Sequence, residues 1–387
     1  MTPIYLDYHA TTPTDPRVAA RVQAAMTAEF GNASSVDHEV GDRAATAIKT
    51  ARQPIATLLH CRPRDILFTA GATESLNLAI QGKVNHLASQ GKIARVACTT
   101  VEHDAVLATG RALAQQGRIE LTEIPVNNRA QLDLGEIETL CAAGLDLLCV
   151  MAANNEVGTV YPVREIAAIA NRHGVAYLCD AAQAVGKIPL DFDGWGVALL
   201  ACSAHKLYGP QGVGALIVRR DQQLAPLFYG GGQQQGLRPG TLNLPGIVGL
   251  GEACRWRLAE MAQDEARIAQ QRDRLQTLLQ ARIPGLQVNG DRDHCLAGNL
   301  HISIPDIPNS AVTARLRHPL AISTGSACAS GVEMPSHVLR AMHLPDATIE
   351  GALRLGLGKF TTDAEIDRAA DLLAAAVSQI RAVLQSA

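Results

Sequence analysis

No uninterrupted apolar stretch in this sequence is long enough to cross a bilayer, since a spanning helix needs about 20 such residues. The opening Met1-Thr2-Pro3-Ile4-Tyr5 has neither the basic nor the apolar region of a signal peptide. A cytoplasmic protein without membrane contact is therefore expected. An excess of one charge is also missing: 34 Lys and Arg stand against 37 Asp and Glu, a net charge of −3. That balance argues against direct nucleic-acid binding by bulk charge and toward a small molecule or a protein as partner. The nine cysteines show no paired spacing and no neighbouring histidine pattern. Neither a disulfide framework nor a metal site is indicated. Most, such as Cys149, Cys179 and Cys202, fall within apolar runs and read as small buried hydrophobes.

Apolar material itself is plentiful, at 47% of 387 residues, enough for a large core and two domains. Apolar runs at 65–69, 94–99, 146–151, 175–179 and 198–202 read as strands, and 16–28, 70–80 and 163–173 as helices. This alternation predicts an α/β protein with a mainly parallel sheet. Helix-forming sequence from Pro245 to about Arg282 leads into a second strand and helix set that ends in a helix from Asp363. The expected division is a large domain over 13–258, and a smaller α/β domain from 1–12 together with 259–387.

The most informative stretch is Cys202-Ser203-Ala204-His205-Lys206-Leu207-Tyr208-Gly209-Pro210, a polar turn between two apolar runs. A lysine is ordinarily a surface residue. Between buried strands it is unfavourable unless paired or covalently used, and its most frequent catalytic use is a Schiff base with a carbonyl, that of pyridoxal phosphate included. Upstream, Gly174 to Asp180 is an apolar run ending in a carboxylate. Such a carboxylate needs a charged or hydrogen-bonding partner, and a pyridinium nitrogen is one.

Other stretches carry two readings each. Ala70-Gly71-Ala72-Thr73-Glu74-Ser75 is either a plain capped helix start or a place where backbone N–H groups meet a phosphate. His103 reads as a capping residue or an acid–base group, and Asn154-Asn155 as a turn or a ligand contact. Gly230 to Thr241 is too glycine-rich for regular structure. Cys328 lies in the small-residue stretch Ile322 to Pro335, accessible rather than packed. Arg354, in the strand-like Ala352 to Phe360, reads as a solvated-face residue or as a fork for a carboxylate.

Taken in order, Asp180-Ala-Ala-Gln183, Ser203-Ala-His205-Lys206-Leu-Tyr-Gly-Pro and Ser323-Thr-Gly-Ser-Ala-Cys328 resemble the NifS/IscS-type cysteine desulfurases of the class V aminotransferase family. The resemblance runs from Tyr5-Leu6-Asp7 to Phe360-Thr361-Thr362. It implies a fold-type I pyridoxal 5'-phosphate enzyme that removes sulfur from L-cysteine, works as a homodimer, and passes the sulfur to an acceptor protein. Lys206 would carry the cofactor, with Ala72, Thr73, Asn155, Asp180, Gln183, Ser203 and His205 around it. His103 would stack on the ring and carry protons. Thr241 would bond the partner subunit's cofactor phosphate, and Asn155 and Arg354 would hold the substrate. Cys328 would take the sulfur as a persulfide.

Two departures stand out: Gln234-Gln235 replaces the family's Glu-Arg, and Lys359 replaces an arginine. A selenocysteine lyase or another amino-acid lyase on the same fold, or an inactive scaffold, are the rival readings. The acceptor is left open among iron–sulfur assembly, tRNA thiolation and DNA phosphorothioation, since no extended tail follows Ile380 to Ala387.

Overall fold

The computed structural model describes residues 3–324 and 335–386. Twelve strands are present among them: β1 (Ile4–Tyr5), β2 (Ile66–Thr69), β3 (Ala94–Thr99), β4 (Ile119–Ile124), β5 (Leu147–Cys149), β6 (Ala176–Asp180), β7 (Leu199–Ser203), β8 (Gly214–Val218), β9 (Gln287–Val288), β10 (Asn299–Ser303), β11 (Leu320–Ala321) and β12 (Ala352–Gly356). Seven form the main sheet in the order β2-β8-β7-β6-β5-β3-β4. Its pairings from β7 through β4 are parallel, while β8 runs antiparallel to both its neighbours. The α/β architecture with a mostly parallel sheet is thus the one expected.

Every residue of β6 and β7 is buried, as both faces of a parallel sheet are covered by crossover helices. Successive side chains still part to opposite faces. Tyr177, Cys179, Leu200 and Cys202 enter one apolar cluster, and Leu178, Leu199 and Ala201 the other. The strand order reverses between β3 and β5, the place where open α/β sheets leave a crevice beyond their carboxyl ends.

A three-stranded antiparallel sheet, β12-β10-β9, and the parallel pair β1-β11 lie apart from the main sheet. Their core joins Ile4 and Leu6 to Ile268, Leu275, Leu300, Leu353 and Leu373. The helix Leu244–Arg282 serves both cores: Ile247, Leu250 and Cys254 pack under the main sheet, Ile268, Leu275 and Leu279 under the small one. Its Pro245 sits in the first turn, where a missing N–H leaves no bond unmade. Val338, Leu339 and Met342, late in the chain, belong to the main-sheet core.

Two elements differ from expectation. The helix anticipated to end near residue 80 continues to Ser89. Gly82, which weakens it on paper, faces Ala225: a Cβ there would lie 2.8 Å from the Ala225 carbonyl oxygen. The glycine-rich stretch, expected to be irregular, contains a 3-10 turn at Gln233–Gly236. The Gln234 amide anchors it, since Oε1 accepts from Phe68 N–H at 2.7 Å and Nε2 donates to the Phe68 carbonyl at 2.9 Å. Among the described residues no helix is long and apolar enough to cross a membrane.

Candidate functional site

The carboxyl ends of β2, β3, β5, β6 and β7 open onto one cavity of about 1200 Å³, closed on its other side by residues 7–10 and by Arg354 of β12. Lys206 ends the short 3-10 turn Ala204–Lys206 that directly follows β7. Burial, and then the cations Lys187 and Arg354, push its pKa down to about 7. Its Nζ donates to the backbone carbonyls of His9 and of Ala10, the latter at 2.8 Å. An amine poised near neutrality is what attack on a carbonyl carbon requires.

Asp180 is the last residue of β6, buried, and accepts from Ala182 N–H at 2.9 Å. Burial raises its pKa, while Lys206 and His103 act in the opposite sense. A carboxylate so placed favours a cationic partner. His205 lies beside Lys206 with its pKa pushed down to about 4 by burial and then by Lys206. Its ring is therefore neutral at ordinary pH, with Nδ1 at 3.1 Å from Thr11 Oγ1.

Beyond β2, Gly71 precedes the helix Ala72–Ser89, whose first N–H groups border the cavity along with Ser203. Gly214 makes the turn possible: a Cβ there would lie 2.7 Å from Gly71 Cα and 2.5 Å from the Cys202 carbonyl oxygen. Glu74, in the first helical turn, is paired with Arg238 at 2.8 Å. Its charge is thereby compensated where an anion would dock. His103 caps the helix Asp104–Gln115, its Nδ1 accepting from Ala105 N–H at 3.0 Å. That bond leaves the proton on Nε2.

On the facing wall Arg354 is 7% exposed, so the solvated-face reading does not hold. Nη1 donates to the Asn155 carbonyl and Nη2 to Asp7 Oδ1, each at 2.9 Å. The Asp7 carboxylate takes one arm of the guanidinium fork, a group that can grip a ligand carboxylate with two. Asn155 follows β5 and also lines the cavity. Gln183 is buried and already bonded on both amide atoms, to His9 and to Lys187.

Ten of the twelve residues singled out in the sequence therefore share this cavity. Thr241 is exposed and does not line it. Cys328 lies outside the described residues. The described cysteines are free thiols, and burial pushes that of Cys202 up to about 12. Gln235 is exposed, and Lys359 binds Asp15 at 2.8 Å and Glu260, away from the cavity.

Two contributors escaped the sequence reading. Glu102, 1% exposed, accepts from Met151 N–H at 2.7 Å and Thr99 Oγ1 at 3.0 Å, and burial followed by Asp180 pushes its pKa up to about 8. Its adjacency to His103 was the available signal. Lys187 carried none, because only tertiary contacts bury it.

The donor set fits pyridoxal phosphate: a near-neutral amine, a buried carboxylate for a ring nitrogen, and a helix start with a serine hydroxyl for a phosphate. The model of the class-V aminotransferases matches residues 4–369. Cysteine desulfurase IscS of Anaeromyxobacter dehalogenans is 42% identical over 381 residues, covering 98% of this chain and 93% of that one. A solved NifS-like protein superposes with a TM-score of 0.90 at 31% identity, over 98% of this chain and 100% of the other. SspA in complex with cysteine superposes with a TM-score of 0.81 at 31% identity, over 92% and 99%. Sequence and fold agree along almost the whole length: the chain belongs to the class-V aminotransferases, among the IscS/NifS-type cysteine desulfurases.

Proposed function

We propose that the protein is a homodimeric, pyridoxal phosphate-dependent cysteine desulfurase that turns L-cysteine into L-alanine and delivers the sulfur, through Cys328, to an acceptor protein in the cytoplasm. The observation that carries this reading is the placement of Lys206, with its lowered pKa, in one cavity with Asp180 and Arg354.

Ala72, Thr73, Ser203, His205 and Gln183 would hold the cofactor, with Thr241 contributed across the dimer. Pyridoxal phosphate supplies an electron-withdrawing ring that loosens bonds at the substrate's α- and β-carbons. Asp180 keeps a proton on the ring nitrogen by its charge. Arg354 exchanges Asp7 for the substrate carboxylate, and Asn155 lies beside the same ligand. Lys206 Nζ, neutral above about pH 7, takes the α-proton. His103 lines the same cavity and carries the proton taken up by the carbon that becomes the alanine methyl when the sulfur leaves.

The Cys328 thiolate attacks the substrate sulfur. The S–S bond forms as the carbon–sulfur bond breaks, and the electron pair stays with the carbon that becomes the alanine methyl. We also propose that 13–258 and 1–12 with 259–387 act as two domains. The separate apolar core under the small sheet, which includes Ile4 and Leu6, supports this division.

Alanine and sulfide released from L-cysteine under reductant provide the test. Cys328→Ala is expected to abolish both, and full-rate alanine formation by that variant would overturn the role of Cys328.

A further inference from the structure

Behind the site lies a second lysine that the proposed chemistry does not use. Lys187 follows Gln183 by four residues, in the turns after β6, and is half-buried. Its Nζ donates to Gln183 Oε1 at 3.0 Å. Because an ammonium can only donate, this bond fixes which end of the Gln183 amide is oxygen. Nε2 then donates to the His9 carbonyl at 2.9 Å, and Oε1 also receives His9 Nδ1–H at 3.1 Å. The same His9 carbonyl accepts from Lys206 Nζ. The two lysines thus stand on opposite sides of one amide and one carbonyl.

Resting on the assignment of Lys206 as the cofactor lysine, we propose that Lys187 is a positioning residue whose positive charge disfavours a second ammonium at Lys206 and whose hydrogen bond sets the orientation of the Gln183 amide. The charges around the pair are unequal. Lys206 faces Lys187 and Arg354 as cations, with Asp7 and Asp180 as anions. Lys187 faces Glu265, on the long helix, as its anion, and Arg257 and Arg354 as cations. Glu265 is itself held by Arg257 Nη2 at 2.8 Å, and its pKa is pushed up to about 7 by burial. His9 and His205 are both lowered, first by burial, with Lys187 adding to the effect in each. The field of Lys187 therefore reaches His9, His205 and the reactive amine itself.

The experiment is the pH dependence of pyridoxal phosphate capture by apoenzyme, followed by the growth of the visible band from about pH 6 to about pH 10, a range that brackets free and perturbed lysines. Wild type is expected to show a midpoint near 7. Lys187→Met should raise that midpoint by about one pH unit, whereas Lys187→Arg should leave it in place. An unmoved midpoint in Lys187→Met, or an equal shift in both variants, overturns the inference. If Lys187→Met does not fold, NMR titration of wild-type apoenzyme labelled with ¹³C at the lysine ε-carbon decides. The Lys206 signal, assigned by its loss in Lys206→Ala, should respond at its own pKa and again at that of Lys187, and a single response overturns the inference. Absence of any visible band in wild type would instead sink the cofactor assignment itself.

Discussion

The two walls of the cavity are built in opposite ways. On the main-sheet side each group lies at or just past a strand end: Asp180 closes β6, Ser203 closes β7, and Lys206 follows within one turn. On the facing side Arg354 sits inside β12, and its two hydrogen-bond partners are 199 and 347 positions away in sequence. The first wall is local and rigid, being the rim of a packed sheet. The second is assembled only when the small sheet and the amino-terminal segment meet the main sheet. Cofactor holding and carboxylate holding are therefore separable in kind, and variants on the two walls should fail differently.

Lys206→Ala is expected to have the largest effect, lowering kcat by about 10⁴-fold or more and removing the cofactor's visible band. A retained band with lost turnover would show that the main-sheet wall does not depend on this amine. On the facing wall, Arg354→Met should leave the band intact and raise KM for L-cysteine about 100-fold, the worth of a bidentate charged pair. Loss of the band in that variant would merge the two walls into one.

A smaller effect is expected from Glu102, beneath the main-sheet wall. Burial raises its pKa in the folded protein to about 8 from the usual 4.5, so the folded state holds a proton that the unfolded chain releases. Stability from this group is present below about pH 4.5 and declines as pH rises toward 8. Glu102→Gln keeps a carbonyl oxygen for Met151 N–H and has no such slope. Its melting temperature should exceed that of wild type by a few °C near pH 8, with the gap closing toward pH 5. The smallest functional effect belongs to Lys359→Met, away from both walls. Unpairing Asp15 and Glu260 should lower stability by about 2 kcal/mol without changing KM.

The same contrast explains what was legible in the sequence. Strands β5, β6 and β7 announce themselves as apolar runs, and a polar residue at the end of such a run stands out, so Asp180 and Lys206 were accessible to local reading. Arg354 was not, because an arginine in an alternating strand looks identical whether it faces water or Asp7. Its role came from the resemblance, and its burial from the structure. Lys187 went unread for a related reason. A charged side chain in a polar stretch gives no sign that residues nearly two hundred positions away will enclose it, as Gln183 and His9 do for each other. Gln234 shows the reverse case: read as the loss of a charge, it proves to be an amide matched to both backbone groups of Phe68.

The central claim, that Lys206 is the amine that carries the cofactor, is tested most directly by borohydride reduction of protein loaded with pyridoxal phosphate, followed by peptide mass spectrometry. The account predicts a single phosphopyridoxyl adduct on Lys206. An adduct on Lys187 or on any other lysine in its place, or no adduct at all, would contradict it.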